Sequence, residues 1–279
     1  MPTQTELIGE HPLPPTIFGK FFDAEDVEVT TQLCHRILKI KSMPPDDEFV
    51  DWLAKRLVFH HYDPSTIARL KKKYEDIGFP QYAAKHRQLP TLDVTKKGNA
   101  TEILLIEYLE GCHGKPMIKT YKLRFNPNVD QAVKGDDILL VNVVDERGEN
   151  EALRVFLGEA KFRSAPDQDV LADLSSSLAK DKMPISFGYL INELYKSNET
   201  LAQAELLDQF VIEEIKKKGN IKFAGMLLSN HRTSNYVTNN FKSDNPSMVI
   251  VSAGIRNPSD LINAAFLKAE DLLANPKDL

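Results

Sequence analysis

Three side chains in two neighbouring apolar segments have the types and spacing for phosphodiester hydrolysis: Asp137, Glu159 and Lys161. Gly135–Val144 reads GDDILLVNVV, Leu153–Phe162 reads LRVFLGEAKF, and Asp145–Asn150, DERGEN, joins them as a turn. Side chains alternate along a strand, so Glu159 and Lys161 share a face with Val155 and Leu157, while Ala160 and Phe162 point the other way. In a hairpin centred on Gly148, Asp137 and Glu159 stand eleven positions either side of the centre and so face each other. Opposed side chains have Cβ atoms about 4.5–5.5 Å apart. Two carboxylates that close repel unless a cation sits between them. Such oxygens suit Mg²⁺, and Mn²⁺ is expected to substitute. The Ala160 carbonyl is a candidate further ligand. The Lys161 ammonium can hold a water and a phosphate and offset developing negative charge. The chemistry would be direct in-line attack of metal-activated water on a phosphodiester, with no covalent intermediate. Register decides between Asp136 and Asp137, because a one-residue slip exchanges their faces. The symmetric turn favours Asp137; a bulge near Gly148 would hand the role to Asp136.

Other elements must position these groups. A short apolar helix is expected from Asn99 to about Gly111, with Glu102 on the side of Leu105, Ile106 and Leu109 that faces a sheet. Glu107 lies about 140° round the same helix. Glu102 is therefore the better fourth acidic group, for the metal or its water shell. Asn99 and Glu102 also have the spacing of a capping box, a role that need not exclude metal binding. Met117–Phe125 alternates like a strand. A helix carries Val170, Leu171, Leu174 and Leu178 on one side, and a longer one follows Asn198. Ile221–Leu228 and Met248–Ala253 read as buried strands, the polar Ser229–Asn245 as a loop between them, and Asn257–Asp260 as the cap of a final helix.

Ahead of all this, the first ~20 residues read as an extended arm, and Asp26–Arg87 as punctuated helices. One has Leu33, Ile37 and Ile40 on a face. The next starts at Pro44–Asp47, and a third runs from Asp63–Pro64 to Lys71–Lys73. His60 and His61 are expected at a helix end or on the surface. The order describes an α/β fold: a mixed central sheet flanked by helices, with a helical N-terminal region. Two regions are expected: an arm and helices over 1–95, and the domain bearing the acidic residues over 96–279.

Bulk properties narrow the class. The net charge of −5 argues against a broadly basic surface but allows a local basic groove. Cys34 and Cys112 lack ligand or disulfide spacing. No basic, apolar leader opens the chain, and no apolar run approaches the ~18 residues of a membrane span. A soluble cytoplasmic protein is expected.

Taken together, these residues resemble the PD-(D/E)xK nuclease superfamily, whose core has an acidic residue on a first helix, an Asp at a strand start, and Glu-x-Lys on the next strand. Glu102, Asp137, Glu159 and Lys161 follow that order, although Gly135 and Asp136 stand where the superfamily's proline would be. Over roughly Asn99–Leu273 the chain is similar to the HamA C-terminal-like family, nuclease subunits of Hachiman anti-phage defence. The likeness is carried by TEILLIEYL, GDDIL, LGEAKF and the helices and strands that follow. It implies a restriction-endonuclease-like core, a DNA substrate, Mg²⁺, and a superfamily 2 helicase partner, HamB-like, that restrains the nuclease.

The plainer reading is a catalytically silent α/β module that binds nucleic acid or docks a protein, with Lys161 in a half-buried salt bridge to Glu159 or Asp137. Cys112–His113 reads as a loop pair rather than a reactive thiol. Lys71–Lys73 and Lys216–Lys218 read as solvated faces. Ser175–Ser177 lacks the flanking glycines of a nucleophile elbow.

Overall fold

The protein is described by a computed structural model. The structure describes residues 1–41, 47–63, 69, 72–73, 76–78, 89–119, 121–125, 128–131, 137–145, 151–179, 186–213 and 221–274. Asp136, Pro44–Asp46 at the expected start of the second helix, most of the DERGEN turn, the Lys216–Lys218 run and most of the third expected helix lie outside these residues.

The apolar alternation read in the sequence forms the hairpin β4 (Ile138–Asp145) and β5 (Glu151–Phe162). Its antiparallel pairs run from Ile138–Gly158 to Asp145–Glu151, symmetric about position 148. Five more strands complete the sheet: β1 (Phe22–Asp26), β2 (His35–Ile40), β3 (Ile118–Lys119), β6 (Ile221–Ser229) and β7 (Met248–Gly254). Among the described residues the order is β1-β2-β7-β6-β5-β4-β3. The centre, β2-β7-β6-β5, is parallel, while β1, β4 and β3 pair antiparallel at the flanks. The innermost strands β6 and β7 are largely apolar on both faces, as strands covered by helices on each side must be.

One layer holds α3 (Asp47–His61), α4 (Asp93–His113) and α9 (Pro258–Ala274). Phe49, Leu57, Ile103, Tyr108 and Phe266 pack there against Ile138, Phe156, Met226 and Val251. The other layer presents Val170 and Leu174 of α5 (Gln168–Ser177), Leu190 of α6 (Phe187–Leu194), Leu207 of α7 (Leu201–Glu213) and Val237 of α8 (Thr233–Asn240) to Leu139, Val155, Leu157 and Ile250. With the short α1 (Gln4–Ile8) and α2 (Ile17–Phe21), these make nine α-helices among the described residues. None of the helices searched is long and apolar enough to cross a membrane.

Several local expectations are corrected. His35–Ile40 is a strand, not a helix, because it pairs in register with β7 along His35–Lys39. Thus residues 1–41 add two strands to the same sheet, and one core layer spans position 95. The helix bearing Glu102 begins at Asp93, six residues earlier than expected. It runs through Gly98, because Lys97 pairs with Asp93 one turn back at 2.5 Å and the Asp130 carboxylate accepts the Leu92 N–H at 2.9 Å. Asn99 is consequently interior to the helix and caps nothing; its amide donates to His61 Nε2 at 3.0 Å. Within the expected Ser229–Asn245 loop, Thr233–Asn240 forms α8, seated by buried Val237.

Candidate functional site

The register of the hairpin places Asp137 one step beyond the Ile138–Gly158 pair, across from Glu159. Glu159 is buried, and its Oε1 lies 2.6 Å from Lys161 Nζ on the same face of β5. Burial, and then repulsion from Asp137, push Glu159 above the usual carboxylate range, while Lys161 opposes the shift. Burial alone would lower the Lys161 ammonium, but Glu159 and Asp137 outweigh it and raise it.

Gly158 explains how the strands close here. A Cβ at this position would stand 2.9 Å from Ile138 Cβ, so glycine leaves room for the residue next to Asp137. Ladder alternation also fixes the Ala160 carbonyl. Arg163 N donates to Leu228 O, so odd residues at this end of β5 turn toward β6. The Ala160 carbonyl then turns to the β4 side, past the last β4–β5 pair. It stays a candidate ligand.

Glu102 arrives from α4, in the helical layer on the other face of the sheet, and meets the hairpin through Lys122. Lys122 Nζ lies 2.9 Å from Glu102 Oε2 and 3.6 Å from Asp137 Oδ1. Met117–Phe125, expected as one strand, is instead the two-residue β3 followed by a 3₁₀ turn, Lys122–Phe125. That turn aims Lys122 inward. The available signal was compositional: Lys119, Lys122 and Arg124 crowd six residues just ahead of the acidic strand start. Burial, then repulsion from Asp137 and Glu159, push Glu102 up to about 7 despite Lys122. Lys122 itself is raised, because Glu102 and Asp137 outweigh the effect of its burial.

The neighbouring candidates take structural roles. Glu107 pairs with His60 at 2.7 Å and with Arg56 at 3.2 Å. His60 and His61, expected at a helix end or on the surface, do end α3 but are buried. Helix α4 covers them, and His61 Nδ1 reaches the Leu57 carbonyl at 2.7 Å. Cys112 and His113 form the last turn of α4 rather than a loop, and burial pushes the Cys112 thiol up to about 12, far from reactive.

Fold and site define an α/β protein with carboxylates and ammonium groups gathered at one end of a mixed sheet. The chain belongs to the HamA family, whose model matches residues 15–269. It is 34% identical over 279 residues to the Hachiman protein HamA of Bacillus cereus, covering 98% of this chain and 97% of that protein.

Proposed function

We propose that this chain is the nuclease subunit of the Hachiman anti-phage system, a metal-dependent DNA endonuclease controlled by a superfamily 2 helicase. The observation that carries the reading is Asp137 standing across from Glu159, with Lys161 paired to Glu159 on the same face. Family membership supports the defence role, and the order Glu102, Asp137, Glu159 and Lys161, which resembles that of PD-(D/E)xK nucleases, supports DNA cleavage and, with it, a restraining helicase partner.

Among the described residues no three His, Cys, Asp or Glu side chains form a ready-made metal cage. The donor set nonetheless fits Mg²⁺ or Mn²⁺, which need only one or two protein carboxylates and complete their shells with water and phosphate oxygens. Asp137 and Glu159 would hold the ion, with the Ala160 carbonyl beside them and Glu102 supporting its water shell. When bound, the ion supplies Lewis acidity at the phosphate and lowers the pKa of water. Lys161 orients the attacking water and offsets the charge that builds on the phosphate oxygens. Its contact with Glu159 fixes the ammonium at the strand end, so little reorganisation is needed during reaction.

The test is plasmid cleavage by purified protein in Mg²⁺, alone and with the helicase subunit, beside a growth-toxicity assay in cells. Cleavage that EDTA, Glu159→Ala and Lys161→Ala each abolish supports the reading. Cleavage retained by either variant sinks the site assignment. A second reading, the catalytically silent docking module, is favoured by the way the cluster pairs internally, Lys161 with Glu159 and Lys122 with Glu102. It predicts no metal-dependent cleavage under any of these conditions.

A further inference from the structure

We propose that Lys122 is a built-in counter-ion, which occupies the acidic pocket of the metal-free protein and must withdraw when a divalent cation binds. The inference rests on the metal reading above and adds a competitor to it.

Three observations carry it. The first is position: the Lys122 ammonium lies between carboxylates from two different elements, 2.9 Å from Glu102 and 3.6 Å from Asp137, and its side chain is only 16% exposed. A lysine so enclosed gives up hydration and chain entropy, which the two carboxylates offset. The second is charge. The Lys122 ammonium stands against Glu102 and Asp137, two of the carboxylates that a divalent cation would meet, so the ion and the ammonium compete for the same oxygens. Like charges crowded in a half-buried site are costly, so repulsion between ammonium and ion favours exchange over addition.

The third is the carrier. Lys122 sits on a separate 3₁₀ turn, off the hairpin that bears Asp137 and Glu159. Arg124 ties that turn to α3, donating from Nη2 to the Phe59 carbonyl at 2.7 Å and lying 3.8 Å from the Tyr121 ring centre. Lys122 can therefore leave by moving its own stem, without disturbing the strands that hold the carboxylates. A surface lysine pairing by chance would have neither the enclosure nor the anchored turn.

The experiment is Mn²⁺ binding to the full chain without DNA, followed by electron paramagnetic resonance, for wild type, Lys122→Gln, Lys122→Arg and Glu159→Gln. Lys122→Gln is expected to bind Mn²⁺ about tenfold tighter or better, as removal of a nearby like charge requires. Its metal-free unfolding temperature should fall and be restored by Mn²⁺, while Lys122→Arg stays close to wild type. A merely structural lysine would not raise metal affinity when lost. Unchanged or weaker binding by Lys122→Gln, beside Glu159-dependent binding by wild type, overturns the counter-ion and leaves the metal reading standing. No binding by either protein sinks both. Should Lys122→Gln fail to fold, wild type alone decides through acetic anhydride labelling. Mn²⁺ at saturation should raise modification of Lys122 several-fold against exposed Lys268, and constant labelling overturns the proposal.

Discussion

Two of the clusters that bury charge among the described residues handle it in opposite ways. Around Arg36 every nitrogen of the guanidinium finds an acceptor. Its Nε and Nη2 grip both oxygens of Asp26 at 2.5 and 2.7 Å, Nη1 donates to the Gly9 carbonyl at 2.8 Å, and Nη2 also reaches Thr5 Oγ1 at 3.3 Å. Burial works against the guanidinium charge, but Asp26 outweighs it and raises the pKa further. At the hairpin end, three carboxylates share two ammonium groups, and both Glu102 and Glu159 are pushed up. The first arrangement is a staple, joining α1 and its C-cap Gly9, in the stretch expected as an extended arm, to β1 and β2. The second keeps unresolved repulsion in a partly open place, as groups do where a ligand is to complete the charge.

The contrast can be tested from the larger expected effect downward. Asp26→Ala strands a guanidinium whose side chain is 2% exposed, and should cost about 3 kcal/mol or more of stability by denaturant unfolding. At the site the sign should differ. Glu159→Gln removes one member of a repelling pair, so the unfolding midpoint should hold or rise. Metal-dependent cleavage should meanwhile fall by about 10²-fold or more. Stability lost in step with activity would erase the distinction between staple and site.

Acid sensitivity should come from neither cluster but from buried neutral imidazoles. Burial pushes His35 and His61 down to about 4 in the folded chain, against an ordinary value of 6.5. The unfolded chain then binds more protons between pH 6.5 and 4. Stability is thus complete above pH 6.5 and is lost as pH falls through that window, by roughly 2 kcal/mol per imidazole at pH 5. His61→Gln should flatten the curve measured by thermal unfolding between pH 7 and 5, and an unchanged slope would count against this source. The smallest effect is expected at an exposed pair. Lys268→Ala breaks a 3.1 Å contact to Asp51 whose side chains are about half exposed, and should move stability by no more than about 1 kcal/mol.

The hairpin was legible because strand periodicity is exact. Alternation over VFLGEAKF and the equal distances of Asp137 and Glu159 from Gly148 give the same register as the observed ladder. Lys122 is not legible in the sequence, because strand-like alternation runs on through KLRF although the chain there forms a 3₁₀ segment anchored by Arg124 to Phe59 of a distant helix. His60 and His61 were hidden for a related reason. Two histidines at a helix end look solvated until α4 is laid over them and supplies Glu107 and Asn99.

Local chemistry, written in order along the chain, was enough to determine which residues share a strand face and which segments are apolar enough to be buried. Only tertiary packing decided that a lysine from an unpaired turn stands between Glu102 and Asp137, and that His35–Ile40 joins the sheet beside β7. The physical reason is range. Side-chain alternation is a property of neighbouring residues, whereas the charge balance of a pocket and the pairing of parallel strands depend on segments brought together from far apart in the chain.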